Sequence, residues 1–287
     1  MSEPTVLVKG LGIPESPRWH EGRLWFCNWI DRQIVAVDLD GRAEVAPERD
    51  QEQLMGYSID WLPDGRLLMT GDRLRRQEPN GSMVTLAEQK ANEIVVDARG
   101  NIYLNGADFN FAGGEAPKPG YIKLLTPDGN LRQVADDIQF PNGMVIAPGN
   151  RTLIISESFA GRLTAFDIAP DGGLSNRRTW AENLGPDGIC TDAEGAVWVQ
   201  TADTFTHSGR DDAPQGAVVR VREGGEITDR VEHDRAVFAA MLGGPDGKTL
   251  FLAAAEWRGT DQVTEALAAR TGQILTAPAQ VPAAGWP

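Results

Sequence analysis

The sequence of 287 residues predicts an all-β protein, a six-bladed β-propeller of four-stranded antiparallel blades. Three observations predict this fold: a short phrase that recurs six times, hairpin signals that follow most of its copies, and a near absence of helical periodicity. Because the copies extend over nearly the whole chain, we expect a single domain over residues 1–287.

Each copy of the phrase is a polar turn followed by a short apolar strand, as in "HEGRLWF" and "DAEGAVWV". Successive copies lie 43, 35, 50, 45 and 52 residues apart, which is the length of a four-stranded unit. The turn positions used for this spacing are Gly22, Gly65, Gly100, Asn150, Gly195 and Gly247.

Further strands follow most copies, for example "QIVAVDLDG" and "RLTAFDIAPDGG", and they end in Asp-Gly or Gly-Gly hairpin signals. Only residues 260–270 ("TDQVTEALAAR") have a partly helical pattern, and the sequence leaves helix, turn and strand open there. Sheets without crossover helices are antiparallel, and radial closure protects their edges. The alternative of two tandem β-sandwiches predicts a polar linker near the middle of the chain, where none is evident.

Composition excludes several classes of partner. The chain has 27 Lys and Arg against 41 Asp and Glu, and a net charge of −14 disfavours nucleic acids and anionic membranes. We therefore expect a cation as a ligand and no nucleic-acid or membrane partner. No run reaches the roughly 18 apolar residues of a spanning helix, and the first residues lack signal-peptide features, so we expect a cytoplasmic protein. Cys27 and Cys190 are expected to be buried, reduced thiols.

The strand before each repeated turn is expected to line the central channel. Its entrance lies eight residues before the turn position, or seven in the first copy, and these positions are Glu15, Tyr57, Asn92, Asn142, Asp187 and Ala239. Four of the six side chains carry oxygen ligands. Two carboxylates and two amides that converge on one axis would repel or leave unpaired dipoles unless a cation lies between them.

The ligand types indicate which cation to expect. All four side chains, Glu15, Asn92, Asn142 and Asp187, offer oxygen, which hard ions prefer. We expect one divalent metal ion. Calcium is the first expectation because it accepts a partly open, irregular shell, and magnesium, manganese and zinc are the alternatives. The competing interpretation of the Asn-Gly and Asp-Gly pairs is that they are ordinary turn dipeptides.

Several motifs resemble the senescence marker protein/regucalcin/gluconolactonase family: "ESPRW", "NGMVIAPGNRTLIISES", "PDGICTDAEGAVWV" and "LGGPDGKTLF". The resemblance covers nearly the whole chain. It implies a six-bladed propeller with a divalent metal at the channel mouth and hydrolysis of sugar lactones or other esters. It also implies that Glu15, Asn142 and Asp187 are metal ligands, that Asn92 is a fourth ligand or a substrate contact, and that Asp187 is the catalytic acid/base.

The chain departs from the family pattern near Asn92. Lys90 stands where regucalcin-like members have an arginine that contacts sugar hydroxyls, and the common "ND" is "NE" here. Lysine offers a flexible point charge instead of a planar fork. We therefore expect Lys90, Asn92 and the loop of residues 105–121 to contact the substrate, with a non-sugar lactone as plausible as an aldonolactone.

The expected activity is metal-assisted opening of a lactone ring. The cation polarises the carbonyl group, and Asp187 accepts a proton from water and returns it to the ring oxygen. Because a bound cation lowers the pKa of Asp187, an alternative is that hydroxide held by the cation attacks and Asp187 only positions it.

Two further functions remain open from the sequence. One is a non-catalytic calcium-binding or scaffold propeller, and the other is a metal-free enzyme of the strictosidine synthase type, which relies on a glutamate. A monomer or a weak homo-oligomer is expected. The three histidines, His20, His207 and His233, are expected at the surface or the rim.

Overall fold

The computed structural model describes residues 3–46, 56–109, 114–202, 216–257 and 268–285. These residues form 24 strands in six antiparallel sheets of four strands each. The first strands of neighbouring sheets contact one another around a ring, so each sheet is a blade whose first strand lines the channel. The six-bladed β-propeller predicted from the repeats is confirmed.

Each of five blades uses four consecutive strands. The first of them contains β2 (Pro14–His20), β3 (Arg23–Asn28), β4 (Gln33–Val37) and β5 (Ala43–Val45). The next two contain β6 (Ile59–Trp61), β7 (Leu67–Met69), β8 (Leu74–Gln77) and β9 (Met83–Ala87), then β10 (Ile94–Val96), β11 (Ile102–Gly106), β12 (Gly120–Leu125) and β13 (Leu131–Ile138). The last two contain β14 (Pro141–Ile146), β15 (Thr152–Glu157), β16 (Arg162–Ile168) and β17 (Leu174–Glu182), then β18 (Cys190–Thr191), β19 (Val197–Gln200), β20 (Gly216–Val221) and β21 (Ile227–His233).

The sixth blade joins the two ends of the chain. It consists of β22 (Ala236–Gly243), β23 (Thr249–Ala255), β24 (Gly272–Pro278) and, at the outer edge, β1 (Thr5–Leu11). Strand β1 pairs antiparallel with β24, from Thr5 opposite Thr276 to Leu11 opposite Gly272. The ring is therefore closed by hydrogen bonds between the first and last strands, which fixes where all six inner strands meet.

The repeated turn has a simple chemical basis. In two copies an aspartate accepts backbone N–H bonds across the turn: Asp97 Oδ1 from Arg99 and Asn101, and Asp192 Oδ1 from Glu194 and Ala196. The glycine between them, Gly100 or Gly195, has φ near +82°, which a residue with a Cβ adopts only with strain. The side-chain cap and the glycine together reverse the chain between the first and second strands of a blade.

The hydrophobic core lies between adjacent blades. One cluster joins Tyr103 and Ile122 of one blade to Ile155 and Phe166 of the next, and all four side chains are buried. Strands β6, β7, β10 and β11 are buried at every residue, so their sequences are short apolar runs instead of clean alternations. Cys27 and Cys190 are buried and free, as expected.

The structure describes two of the three histidines, which the sequence places at the surface or the rim. His233 was expected at the surface or rim, which is wrong: it is 6% exposed, because it ends β21 opposite Gly216 and its side chain is packed inside the blade stack. His20 is half-buried, with its ring stacked 4.2 Å from that of Trp61, and His207 lies outside the described residues.

Helical structure is rare in the described part of the chain. It comprises the 3₁₀ turn Ser158–Ala160 and Ala268 with Ala269, at the end of the ambiguous segment 260–270, whose first eight residues lie outside the described ranges. Within those ranges, no helix has the length and apolar character to cross a membrane.

Candidate active site

The four candidate ligands lie at the same end of the ring. Glu15 and Asn142 are the second residues of the inner strands β2 and β14, while Asn92 and Asp187 come two and three residues before β10 and β18. Each side chain thus stands where a blade's first strand enters the channel, as the repeat phase predicts. Of the two other entrance positions, Ala239 has no polar group and the Tyr57 hydroxyl donates to the Asn28 and Gln33 carbonyls of the preceding blade, 3.3 Å away.

Glu15 is held by its own backbone neighbourhood. It lies between two prolines, and Ser16 has φ +49°, a left-handed conformation rare for a residue with a Cβ. In this conformation the Ser16 N–H donates to Glu15 Oε2 at 3.0 Å. The Ser16 hydroxyl in turn accepts the Ile59 N–H at 3.1 Å, which ties this bend to the adjacent blade. The Glu15 carboxyl group is therefore fixed by local strain and by an inter-blade contact.

Asp187 is fixed through its backbone and leaves its carboxyl group open. Its N–H donates to Gln200 Oε1 at 2.9 Å, and its carbonyl oxygen accepts from the Ser156 hydroxyl at 2.7 Å and the Gly143 N–H at 3.2 Å. The residue is 8% exposed, yet its Oδ1 has no hydrogen-bond partner among the described residues. A buried carboxylate oxygen without a partner is costly, which indicates a ligand for it.

The two amides belong to one hydrogen-bonded network. The Asn142 side chain donates to Ser158 Oγ at 3.5 Å, and this hydroxyl donates to the Pro186 carbonyl at 2.7 Å, next to Asp187. Asn92 donates to the Pro141 carbonyl at 3.5 Å, next to Asn142. Three of the four predicted side chains therefore lie on one connected stretch of the channel mouth.

Asn105 on β11 supports both amides and was not predicted. Its Nδ2 donates to the Asn142 carbonyl at 2.6 Å, and its backbone carbonyl accepts the Asn92 N–H at 2.9 Å. The residue begins the loop 105–121, in which residues 110–113 lie outside the described ranges. Its position on a second strand, outside the repeat phase, explains why the sequence pattern did not indicate it.

The electrostatics of the mouth are those of uncompensated acid groups. Burial first, then the nearby Asp187 and Glu93 carboxyl groups, raise the pKa of Glu15 well above its ordinary value. Burial and Glu93 likewise raise the pKa of Asp187, against a lowering by the Asn142 amide. Both groups thus resist ionisation in the protein alone, and a nearby positive charge would reverse this.

A buried ion-pair cluster lies directly below the mouth. The Arg18 guanidinium donates to Glu93 Oε2 at 3.3 Å and to the Ile94 carbonyl at 2.9 Å, and its Nε is 3.8 Å from Asp60 Oδ1. Burial raises the pKa of both Glu93 and Asp60, and Arg18 opposes this. Sequence reasoning noted Glu93 only as a departure from a family motif and missed Arg18. Arg18 and Glu93 are 75 residues apart in sequence, so their contact is evident only when the inner strands are placed side by side.

Lys90 lies close in sequence to the candidate ligands, and a larger cavity lies elsewhere in the channel. Lys90 is exposed, two residues before Asn92. A cavity of about 450 Å³ opens at the opposite end of the channel, between the ends of the inner strands. Trp19, Trp61 and Met241 line it, with Arg18 and Asp60 among its polar groups. None of the four candidate ligands lines this cavity.

The waist between this cavity and the mouth is narrow because glycines allow close backbone contact. A Cβ on Gly143 would lie 2.5 Å from the Asp187 carbonyl oxygen. The Gly188 N–H donates to the Phe238 carbonyl at 2.8 Å, linking the next pair of inner strands. The candidate ligands therefore lie at the mouth, outside the larger cavity.

The residues at the mouth fit a divalent cation. In the described part of the chain no group of three or more His, Cys, Asp or Glu is arranged to hold a metal. The candidate set is of another kind, with two carboxyl groups and two amides. Asp187 Oδ1 lacks a hydrogen-bond partner among the described residues, and the Asp187 carboxyl group disfavours the ionised form of Glu15. A hard cation, which prefers oxygen ligands, would relieve both costs.

Comparisons with known proteins agree with the fold. Regucalcin from Macaca fascicularis is 32% identical over 231 residues, which are 68% of this chain and 70% of the relative. The calcium-binding protein regucalcin from Agrobacterium tumefaciens superposes with a TM-score of 0.78 at 19% identity, over 100% of this chain and 96% of that one. A gluconolactonase from Xanthomonas campestris gives 0.71 at 19% identity, over 98% and 96%.

The family model gives the most direct assignment. The model of the "SMP-30/Gluconolactonase/LRE-like region" matches residues 13–256, well over half of the chain and inclusive of all four candidate ligands. The resemblance drawn from the sequence motifs is confirmed. The chain belongs to the SMP-30/gluconolactonase/LRE-like family.

Proposed function

We propose that the protein is a divalent-metal-dependent hydrolase that opens the ring of a lactone at the channel mouth. Family membership supports this, because gluconolactonases and regucalcins are among its similar proteins. The single observation that carries the proposal is the fixed, buried Asp187 with an unpartnered Oδ1 beside a second acid, Glu15. Such an arrangement costs stability and is retained where it binds or reacts.

In this proposal Glu15, Asn142 and Asp187 hold one divalent ion, with calcium as the first expectation and magnesium, manganese or zinc as alternatives. Asn92 is a fourth ligand or a contact to the substrate. When bound, the ion supplies Lewis acidity toward the lactone carbonyl group and charge stabilisation of the oxyanion. The exposed Lys90 and the loop 105–121 are proposed to contact the rest of the substrate.

Asp187 is proposed to move the proton. Its backbone is held by Gln200, Ser156 and Gly143, so its carboxyl group has a fixed direction, with one oxygen for the ion and the other for a proton. A water proton passes to Asp187 as the oxygen of that water adds to the carbonyl carbon. The same proton then passes to the ring oxygen as the acyl C–O bond breaks, which leaves a hydroxy acid.

A calcium-binding propeller without catalysis is the second candidate. It is favoured by the printed description of the Agrobacterium tumefaciens relative as a calcium-binding protein. The same four side chains would serve it, so ligand geometry does not separate it from the hydrolase. The two candidates differ in whether the protein hydrolyses a lactone that is supplied to it.

The test is a panel of lactones given to the purified protein after elemental analysis. The hydrolase proposal expects ring opening that a chelator abolishes and added metal restores. Metal binding without hydrolysis of any lactone would favour the calcium-binding propeller instead. Hydrolysis that persists in the fully chelated protein would contradict metal dependence. It would favour a metal-free enzyme that relies on a glutamate.

A further inference from the structure

Three phenylalanines form an aromatic surface, here called the aromatic rim, at the same end of the ring as the candidate site. The rings of Phe140 and Phe159 stack with centroids 4.2 Å apart and planes 12° apart, and Phe109 lies 5.9 Å from Phe140. Phe159 is 49% exposed, although large aromatic side chains are usually buried. Phe159 therefore presents part of its ring to solvent, while Phe140 and Phe109 are half-buried beside it.

The rim is joined to the candidate ligands by short connections. Phe140 is two residues before Asn142, and Phe159 follows Ser158, whose hydroxyl accepts from Asn142 and donates to the Pro186 carbonyl. The three aromatic residues follow β11, precede β14 and follow β15, and all of these strand ends lie at the mouth. A molecule bound at Asn142 and Asp187 has this surface beside it.

Phe140 is also held in a strained backbone conformation. Its φ is +58°, a region in which glycine or asparagine is favoured and a bulky side chain is rare. Its carbonyl oxygen accepts the Ser158 N–H at 3.1 Å, which fixes the bend. Strain of this kind collects at ligand-binding sites, where the surrounding structure maintains it. Here it keeps an aromatic ring at the mouth where asparagine would be less strained.

The polar groups of Asp137 and Gln139, next to the rim, are paired with neighbouring residues. Of the rim's nearby acids, Asp137 accepts from Gln139 Nε2 at 3.0 Å, and its carbonyl oxygen accepts from Arg177 at 2.9 Å. The rings of Phe140 and Phe159 therefore offer an apolar contact close to Asn142, beside polar groups that are already paired.

We propose that the substrate is a lactone with an alkyl or aryl substituent on its ring, and that Phe140 and Phe159 bind this substituent. The inference rests on the proposed hydrolase function and adds the class of substrate. Apolar area buried against the rings supplies binding free energy that an unsubstituted or polyhydroxylated ring lacks. Phe140 and Phe159 are therefore specificity-determining residues for the same site.

The experiment compares three six-membered lactones: δ-decalactone, with a pentyl chain, δ-valerolactone, without a substituent, and glucono-δ-lactone, with hydroxyls. We expect kcat/KM of the wild-type protein for δ-decalactone to exceed that for δ-valerolactone by about tenfold or more. Phe159→Ser should lower this ratio about tenfold. Ile227→Ser is the control, because Ile227 on β21 is equally exposed, at 53%, but lies away from the rim.

A second variant and a binding measurement test the proposal independently of Phe159→Ser. Phe140→Asn deletes the ring and relaxes the backbone, since asparagine accepts φ near +58°. It should lower the same ratio without a loss of thermal stability. The δ-lactam that carries a pentyl chain is not hydrolysed, and its affinity, measured by calorimetry, should fall about tenfold in both rim variants and not in Ile227→Ser.

Three outcomes would overturn the proposal. Hydrolysis of all three lactones with a ratio that neither rim variant changes would refute the assigned substrate class and leave the hydrolase function standing. No hydrolysis of any lactone by the metal-loaded protein, with no binding of the lactam, would refute both. A wild-type dimer that Phe159→Ser dissociates, with lactam binding unchanged, would show that the rim binds a second copy instead of a substrate.

Discussion

Two buried glutamates near strand ends, Glu15 and Glu157, have opposite surroundings. Glu157 is fully buried and has Arg162 at 3.0 Å, Arg177 at 3.1 Å and the Gln139 N–H at 2.8 Å. Burial alone would raise the pKa of Glu157, but hydrogen bonds, with those from Thr164 and Gln139 foremost, and the two arginines hold it below its ordinary value. Glu15 faces acids instead, and its pKa is raised. The first arrangement is one of paired charges, and we propose that the second serves a ligand.

We therefore predict opposite effects of two matched substitutions on the metal-free protein. Glu15→Gln removes an acid group whose ionisation is opposed by burial and by the nearby Asp187 and Glu93, and should raise the free energy of unfolding by about 1 kcal/mol. Glu157→Gln removes a satisfied charge and should lower the free energy of unfolding by about 2 kcal/mol. Urea unfolding in chelator at neutral pH measures both. A loss of stability in Glu15→Gln similar to that in Glu157→Gln would mean that Glu15 has a structural role.

The pH dependence of stability follows from the same acids. Glu15 and Asp187 have raised pKa values in the folded metal-free protein, whereas in the unfolded chain they ionise near pH 4. The folded state thus binds more protons above about pH 4, so its stability must fall as the pH rises toward the folded pKa values. Urea unfolding in chelator at several pH values measures this slope. The double variant Glu15→Gln/Asp187→Asn should flatten it, and an unchanged slope would assign the pH dependence to other groups.

At the scale of elements, the mouth depends on contacts between inner strands. Gly143 on β14 donates its N–H to the Asp187 carbonyl at 3.2 Å, and this approach has no space for a side chain. Asn142 and Asp187 are brought together by this backbone contact, not by their own side chains alone. Gly143 therefore contributes to the candidate site, because its lack of a side chain permits this contact.

Gly143→Ala should move β14 away from the Asp187 segment. The added Cβ would lie 2.5 Å from the Asp187 carbonyl oxygen and 2.8 Å from Gly188 Cα, so the backbone must shift. We expect a loss of about 2 kcal/mol in the free energy of unfolding and at least a tenfold weaker affinity for calcium. Calorimetry gives the affinity and urea unfolding the stability. Normal calcium affinity in a destabilised variant would separate the β14 contact from the site.

The elements were predictable to the extent that their chemistry is local. The turns that carry Asp97 and Asp192 recur in the sequence, and their phase located the entrances of the inner strands correctly. The bend at Ser16 and the Arg18–Glu93 pair were not predictable in this way. Both depend on which blades are neighbours and how closely their backbones approach, which a repeat pattern does not contain.

At the scale of the molecule, ring closure gives stability that does not depend on a ligand. The pairing of β1 with β24 closes the sixth blade, and apolar clusters join each blade to the next. The ion at the mouth would then add to a fold that already exists. We therefore expect the protein to differ from small metal-dependent domains, which unfold without their ion.

We predict that the metal-free protein remains folded and that calcium raises its stability by mass action. At a free calcium concentration about 100 times the dissociation constant, the free energy of unfolding should increase by roughly 2.7 kcal/mol. Thermal or urea unfolding with and without calcium measures this, and Glu15→Gln should show almost no increase. Unfolding of the wild-type protein by chelator at room temperature would mean that the ion is structural.

The central claim is that one phase of a sixfold repeat brings Glu15, Asn92, Asn142 and Asp187 together as a single cation site. Calorimetric titration of the metal-stripped protein with calcium, repeated on Glu15→Gln and Asp187→Asn, tests it most directly. We expect one ion bound per chain in the wild-type protein and at least a hundredfold weaker binding in each variant. Equal binding in all three proteins, or none in the wild-type protein with calcium or any alternative divalent ion, would contradict it.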